Sequence, residues 1–294
     1  MVGATRNDEP SNLSTQPLIT IVMPTWNRLP FIEEAVRSVI AQTYRHWELI
    51  VVDDGSTDGT AERLHAIGES RLCVLSRPHS GRLGNLRNCG AAAGTGELIA
   101  FLDSDDVWLP QKVELQVRAL AESDAGWCYS GYEMMDAAGR TIPMRTGAFR
   151  PVSGQIAREV LTYQVTSATP TLVVRRALFQ ALGGFSEDAR LVTHEDQELI
   201  LRLATRAAAV AVPDIVVRVR DHPGRTTART RFPYEQSALV YEMFLAGKPP
   251  AELAFVAHRC CARELANAGM KRLASGHPMR AAMLFGRSLS HALR

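Results

Sequence analysis

Patterned sequence begins at Leu18-Ile19-Thr20-Ile21-Val22-Met23, a β-branched apolar run halted at Pro24 that reads as a first strand. Residues 31–42 change period. Phe31, Ala35 and Val39 form one stripe with Ile32, Val36 and Ile40 beside it, the spacing of a helix that lays an apolar face on a sheet. Short apolar runs recur at 48–52, 72–75 and 98–102, separated by helical segments at 61–67 and 84–93, with Asp58 or Thr60 placed to cap the first of these. Strand and helix alternate throughout, which predicts a parallel sheet covered by helices.

Beyond Pro110 the pattern changes. Residues 111–123 read as a helix, Trp127-Cys128-Tyr129-Ser130-Gly131-Tyr132 as a strand, and Asp136-Ala137-Ala138-Gly139 as a hairpin turn. Thr171-Leu172-Val173-Val174 reads as another strand, and 175–181 as a short helix stopped by Gly183-Gly184. Thr193-His194-Glu195-Asp196 opens a helix over 197–205. From Pro233 only helical patterning remains, ending in 251–274 and 278–293, a hairpin of the tetratricopeptide kind without a repeat array. Residues 145–170 and 225–250 show no pattern that translates into chemistry.

Composition changes this picture little. At 294 residues, 46% hydrophobic and 22% charged, the chain can bury a sizeable core and is not a disordered sequence. No apolar run approaches the ~18 residues that span a bilayer. Residues 1–16 are polar, lack a basic stretch followed by an apolar one, and read as a flexible tail rather than a secretory signal. Cys73, Cys89, Cys128, Cys260 and Cys261 form no C-x-x-C pair, which fits a reducing compartment and neither a zinc site nor a disulfide framework. Charge is uneven. Residues 1–214 hold 20 Lys/Arg against 26 Asp/Glu, and residues 215–294 hold 13 against 5. The basic end suits anionic phosphate or a membrane surface, or simply a solvated helical face.

The densest chemistry is Asp103-Ser104-Asp105-Asp106, directly after the run ending Phe101-Leu102. Acids at the carboxyl end of a parallel strand sit where open α/β sheets bind ligands. Packed so closely they raise one another's pKa unless a cation neutralises them, and a hard divalent ion bridging carboxylates to phosphates is the natural partner. The competing reading is a solvated turn in which Asp105 or Asp106 caps the next helix. Two other strand ends, Thr25-Trp26-Asn27-Arg28 and Asp53-Asp54, point to the same crevice. That convergence outweighs any single motif.

Three blocks then become recognisable: Val22-Met23-Pro24-Thr25-Trp26-Asn27-Arg28, Val51-Val52-Asp53-Asp54-Gly55-Ser56-Thr57-Asp58, and Ile99-Ala100-Phe101-Leu102-Asp103-Ser104-Asp105-Asp106. In order and spacing they closely resemble the family-2 inverting glycosyltransferases. The resemblance implies an α/β GT-A fold, a Rossmann-like, mostly parallel sheet flanked by helices. After the tail, residues 17–110 would form its nucleotide-sugar-binding half and 111–232 its acceptor-binding half. Residues 233–294, a C-terminal helical extension, are not covered by the resemblance. The implied activity moves a sugar from a nucleoside-diphosphate sugar, UDP-linked by expectation, to a hydroxyl of a glycan, lipid-linked or other acceptor in bacterial glycan, polysaccharide or glycolipid biosynthesis. Mn²⁺ or Mg²⁺ is the implied cofactor, and no nucleic acid is an expected partner.

Residue by residue, Asp54 resembles the acid that accepts a hydrogen bond from the base, with Pro24, Thr25 and Trp26 lining the base pocket and Asn27 and Arg28 in the same donor block. Trp26 would stack on the base; its bland alternative is a core tryptophan. Asp105 resembles the metal ligand of the D-x-D motif, with Asp103 nearer the ribose and Ser104 between them. Arg82 and the Arg87-Asn88 pair match positions that contact base or phosphate, although either arginine also suits a helix surface. Asp196 resembles the base that deprotonates the acceptor, with Glu195 the alternative; a helix dipole alone would also favour acids there. Arg220-Asp221-His222-Pro223-Gly224-Arg225-Thr226-Thr227 resembles the family's late Arg-x-His-Pro-Gly-Ser segment and makes His222 a candidate for metal or diphosphate, with Arg225 where serine is common. His194 is a weaker candidate.

The Gln-x-x-Arg-Trp motif of processive members is missing, so a non-processive, cytoplasmic enzyme is expected. Its basic end would rest on the inner membrane face, and the Cys260-Cys261 helix could meet a second copy. Two other classes compete: a non-catalytic nucleotide-sugar-binding scaffold, and a sugar nucleotidyltransferase, whose glycine- and lysine/arginine-rich triphosphate loop residues 24–30 do not supply.

Overall fold

The computed structural model describes residues 13–143, 149–165, 167–225 and 233–294; most of the 1–16 tail, and Thr226-Thr227, lie outside them. Four strands, β1 (Ile19–Thr25), β2 (Trp47–Asp53), β3 (Leu72–Ser76) and β4 (Leu98–Phe101), pair in parallel in the order β3-β2-β1-β4. The connecting helices are α1 (Leu29–Ile40), α2 (Thr60–His65) and α3 (Leu83–Ala93). Gly59 takes the N-cap position of α2 at φ 93, and Asp58 accepts from the Thr60 N–H beside it. Side chains alternate across the sheet as strand geometry requires. Ile19, Ile21 and Met23 bury in one cluster with Ile32, Val36 and Val39 of α1, while Val22, Ile99 and Phe101 bury on the opposite face.

The parallel expectation holds for these four strands; beyond them the sheet is mixed. β8 (Val173–Arg175) runs antiparallel to β4, and β6 (Trp127–Met135) antiparallel to β8. β9 (Ala209–Arg220) lies parallel to β6, and β5 (Val107–Trp108) closes the order antiparallel to β9. β7 (Thr141–Ile142) returns on β6 through the expected turn at 136–139. A 3₁₀ turn, Thr169–Thr171, precedes β8 where a longer strand was expected.

β9 is missing from the sequence reading. Pro213 and Asp214 interrupt its apolar pattern, and its register against β6 shifts around Gly131, so a bulge joins two short runs into one strand. Its position matters because it carries Arg220 and His222 to the acidic loop.

α4 (Lys112–Ala121) covers the α1 face through Val113, Val117 and Leu120. On the other face lie α7 (Glu195–Arg206), α8 (Pro233–Ala246) and α9 (Ala251–Ala274), with the short α5 (Ala157–Leu161) and α6 (Arg176–Ala181) at the margins. Leu199, Leu203, Tyr241, Cys261 and Leu265 share one buried cluster with Phe101 and Trp127, so the C-terminal helices add to the core of the sheet. α10 (Pro278–Ala292) packs on α9. Among the described residues no helix is long and apolar enough to cross a membrane.

Candidate active site

The carboxyl ends of β1, β2 and β4 open onto one cleft of about 370 Å³, a volume suited to a small ligand. Pro24, Thr25, Trp26, Arg28, Asp54, Arg87, Asp103, Ser104, Asp105, Glu195 and Asp196 line it. Asn27, Arg82 and His222 do not. Asn27 adopts φ 50 and ties two loops together, its Oδ1 accepting from the Thr57 N–H at 2.8 Å and its N–H donating to Ser56 Oγ at 2.9 Å. Arg82 is exposed and borders a separate hollow of about 120 Å³ with Glu187 and Asp188.

The acidic loop is held from beneath by β9. Arg220, buried, donates its backbone N–H to Asp106 Oδ1 at 2.8 Å, its Nε–H to the Asp105 carbonyl at 2.8 Å, and its Nη2–H to Glu34 at 2.6 Å. Neither Asp105 nor Asp106 caps a helix, because the chain passes into β5 and Gln111 is the N-cap of α4. Two residues after Arg220, His222 Nε2 lies 2.9 Å from Asp105 Oδ2. The Gly224 N–H approaches the other ring nitrogen at 3.2 Å, so Nε2 carries the proton and donates to Asp105. Arg28 Nε completes the group at 3.3 Å from the same oxygen. Burial raises the Asp103 carboxyl above the ordinary range, with the Arg87 charge opposing and Asp105 adding to the rise. Asp106 is pushed up further by burial and by its two acidic neighbours.

Opposite this loop stands the first turn of α7, where Glu195, Asp196 and Glu198 meet the positive end of the helix. The two leading acids have different surroundings. Glu195 Oε1 accepts from the buried Arg87 at 2.6 Å, and Arg87 also holds Asp103 at 2.7 Å. Burial raises the Glu195 carboxyl, while Arg87 draws it back down. Asp196 has no cationic partner among the described residues; its Oδ2 accepts from Thr169 Oγ1 at 3.2 Å and its Oδ1 from the Gln197 N–H at 2.8 Å. Trp108 Nε1–H donates to Pro170 O at 2.9 Å and Gln116 Nε2–H to Thr171 O at 2.7 Å, fixing the 3₁₀ turn that presents Thr169. Asn88 braces the same wall from α3, donating to Phe185 O at 2.9 Å and accepting from Phe185 N–H at 2.8 Å. Gly184, at φ +73, gives Asn88 the room a Cβ would take.

At the other end, Trp26 is not a core residue. Its ring stacks on His79 with centroids 4.3 Å apart and planes inclined 21°. Asp54, 1% exposed, accepts on its carboxylate from Ser80 N–H and Oγ–H at 2.8 and 2.9 Å and from Gly81 N–H at 2.8 Å; the His79 ring bonds the Asp54 backbone carbonyl through Nδ1 at 3.0 Å, and that nitrogen lies 2.9 Å from Oδ2.

Sequence reasoning passed over His79 and Thr169. His79 follows β3, a fourth parallel strand whose carboxyl end opens on the same crevice, so the rule that found the other three loops also reaches it. Thr169 carries no such signal. Outside the cleft, Glu242, Cys261 and His291 bring ligand-type atoms within 4.8 Å. Arg287 already pairs with Glu242, and His258 faces His291 at 2.8 Å, which makes the group a polar clasp between α8, α9 and α10.

Known proteins share this fold and part of this sequence. The crystal structure of S. aureus TarS 1–349 in complex with UDP-GlcNAc is similar with a TM-score of 0.68 at 21% identity, over 87% of this chain and 72% of that one. The mannosyltransferase PcManGT from Pyrobaculum calidifontis in complex with GDP-Man and Mn²⁺ gives 0.64 at 21% identity, over 97% and 82%. These likenesses carry the fold, which is GT-A. In sequence, the Escherichia coli UDP-Glc:alpha-D-GlcNAc-diphosphoundecaprenol beta-1,3-glucosyltransferase WfgD is 34% identical over 119 residues, 40% of this chain and 47% of its own length. The chain spans about half the length of such curated relatives. The family description "Glycosyl transferase family 2" matches residues 20–183, more than half of the sequence and all three strand-end blocks, and the chain belongs to that family.

Proposed function

We propose that this protein is a metal-dependent, inverting, non-processive glycosyltransferase that moves a sugar from a nucleoside-diphosphate sugar, UDP-linked first, to an acceptor hydroxyl. One observation carries the reading: an acidic loop able to hold a cation and an acid, Asp196, with no cationic partner among the described residues line the same cleft. The ligands of TarS and PcManGT support a nucleotide-sugar donor.

The donor set fits a hard divalent ion. Asp105 and His222 offer oxygen and nitrogen at the loop, and the raised carboxyls of Asp103 and Asp106 mark an excess of negative charge that a cation relieves. Asp105 would hold Mn²⁺ or Mg²⁺, with His222 orienting it through Nε2–H or, once that proton is given up, joining as a second ligand. Such an ion supplies neutralisation of the charge that develops on the departing nucleoside diphosphate. Arg28, beside Asp105, is placed to add positive charge there. Trp26 and Asp54 receive the base, and Asp103 the ribose side. Arg87 acts as a strut between the two walls and Arg82 stands at the rim. Asp196 takes the acceptor's proton as the hydroxyl attacks the anomeric carbon from the face opposite the diphosphate, which inverts that centre. Glu195, committed to Arg87, is the lesser candidate.

A lipid-linked glycan acceptor, of the kind in WfgD's name, suits the outer face of α10. Met279, Met283, Leu289 and Leu293 are exposed on one side of that helix, with Lys271, Arg280 and Arg294 exposed nearby. Sedimentation with anionic vesicles that Met279→Glu and Met283→Glu abolish supports this contact; no sedimentation removes it. The central test is calorimetric titration with UDP, GDP, CDP and dTDP, each with and without Mn²⁺. Tight binding of one nucleotide that requires metal supports the reading, and no binding of any of them overturns it.

A further inference from the structure

Asp54 presents a difficulty for any base. A carboxylate offers about four acceptor positions; the Ser80 N–H and hydroxyl and the Gly81 N–H take three, and the His79 ring, bonded to the Asp54 carbonyl, stands 2.9 Å from Oδ2 across the remaining one. A base N–H therefore reaches Oδ2 only where the His79 ring moves aside. The stacking face of Trp26 presents the same difficulty, since the His79 ring lies on it at 4.3 Å. One side chain thus stands against both surfaces that a nucleobase would touch.

We infer that His79 holds the place of the nucleobase, and that donor binding exchanges its ring for the base ring on Trp26 and opens Asp54 Oδ2 to a base N–H. The inference rests on reading the cleft as a nucleotide-sugar site and adds how that site selects its base. His79 is the ring that can leave without moving the backbone. Ser80 and Gly81 give backbone N–H groups, and their backbone is pinned where Gly55, at φ +74, packs so closely that a Cβ would come within 3.0 Å of His79 N. The His79 side chain is 48% exposed and needs only a rotation about its own χ1 to swing into solvent. The ring gives up its bond to the Asp54 carbonyl and the base gains one on Oδ2, so the exchange is nearly neutral in hydrogen bonding, and the larger stack of base on indole drives it. A base must then present an N–H at its edge, as uracil does at N3.

Two measurements on the full chain test this. In calorimetry, His79→Ala should bind UDP about 5-fold more tightly than the native protein, the equivalent of releasing one competing hydrogen bond. UDP methylated at N3 should bind the native protein at least about 10-fold more weakly than UDP. In NMR, the His79 ring protons should lie upfield, shifted by the Trp26 ring, and move towards free-imidazole positions as UDP saturates the protein. Equal or weaker UDP binding by His79→Ala, equal binding of the methylated nucleotide, or His79 signals unmoved at saturating UDP overturns the exchange while leaving a nucleotide site standing. If neither protein binds any of the four nucleoside diphosphates, the functional reading and the exchange fall together.

Discussion

Arg87 of α3 and Glu195 of α7, 108 residues apart in the chain, meet in a 2.6 Å ion pair. Arg87 is 2% exposed, and its second arm holds Asp103 at 2.7 Å. One guanidinium thus joins the donor-side acidic loop to the helix that bears Asp196, and Phe185 packs 5.2 Å from it. A buried cation with two carboxylates is a poor source of stability in itself, but leaving the acids without it is strongly unfavourable.

Arg87→Met should therefore destabilise the protein by about 3–5 kcal/mol, read from urea unfolding. Glu195→Gln, which keeps an acceptor for Arg87, should lose clearly less. Equal losses would show that the pair does not act as a strut.

The different surroundings of Glu195 and Asp196 give a kinetic prediction. Asp196→Asn should lower kcat by about 10²–10⁴-fold with UDP affinity unchanged, because only the proton acceptor is removed. Glu195→Gln should retain much more activity. Undiminished transfer by Asp196→Asn would remove the assigned base.

Much of this cleft was legible in the sequence because parallel strands announce themselves. A strand buried on both faces is a short apolar run, and the polar residues just past it must face the crevice. Trp26, Asp54 and Asp105 were found that way. What escaped depended on contacts between distant segments. β9 hid behind Pro213, and with it the fact that Arg220 and His222 grip the acidic loop. The protein contacts of Arg87 and Asn27 escaped for the same reason. Each carries the side chain a ligand contact needs, and each is spent on the protein itself. Thr169 sits in a turn whose shape is dictated by Trp108 and Gln116, far away in the chain.

His222 and Asp105 separate two forms of metal dependence. Asp105→Asn should abolish the Mn²⁺-dependent part of UDP binding. His222→Ala, which removes a partner that donates to Asp105, should weaken apparent Mn²⁺ affinity by about 10–100-fold without abolishing it. Unchanged metal dependence in Asp105→Asn would refute the ligand assignment.

Lys112 provides a test of the fold that is independent of the reaction. Its side chain is fully buried in α4, 3.7 Å over the Trp108 ring, and its Nζ has no hydrogen-bond partner. Burial drops its pKa from 10.5 to about 7, with the Cys128 thiol nearby itself pushed up to about 12. Below about pH 7 the amine is protonated folded and unfolded alike, and the folded state bears the full penalty of a buried charge. Between about 7 and 10.5 the unfolded chain holds a proton that the folded one has lost, so stability rises with pH, by up to about 1.4 kcal/mol per unit. The stack on Trp108 offsets part of the penalty. Lys112→Met removes the charge while filling similar space. It should be more stable than the native protein at pH 7, by about 2–4 kcal/mol, and its urea midpoint should lose the rise between pH 7 and 10. A variant no more stable at pH 7, with the same slope, would mean that the amine reaches water or an acceptor.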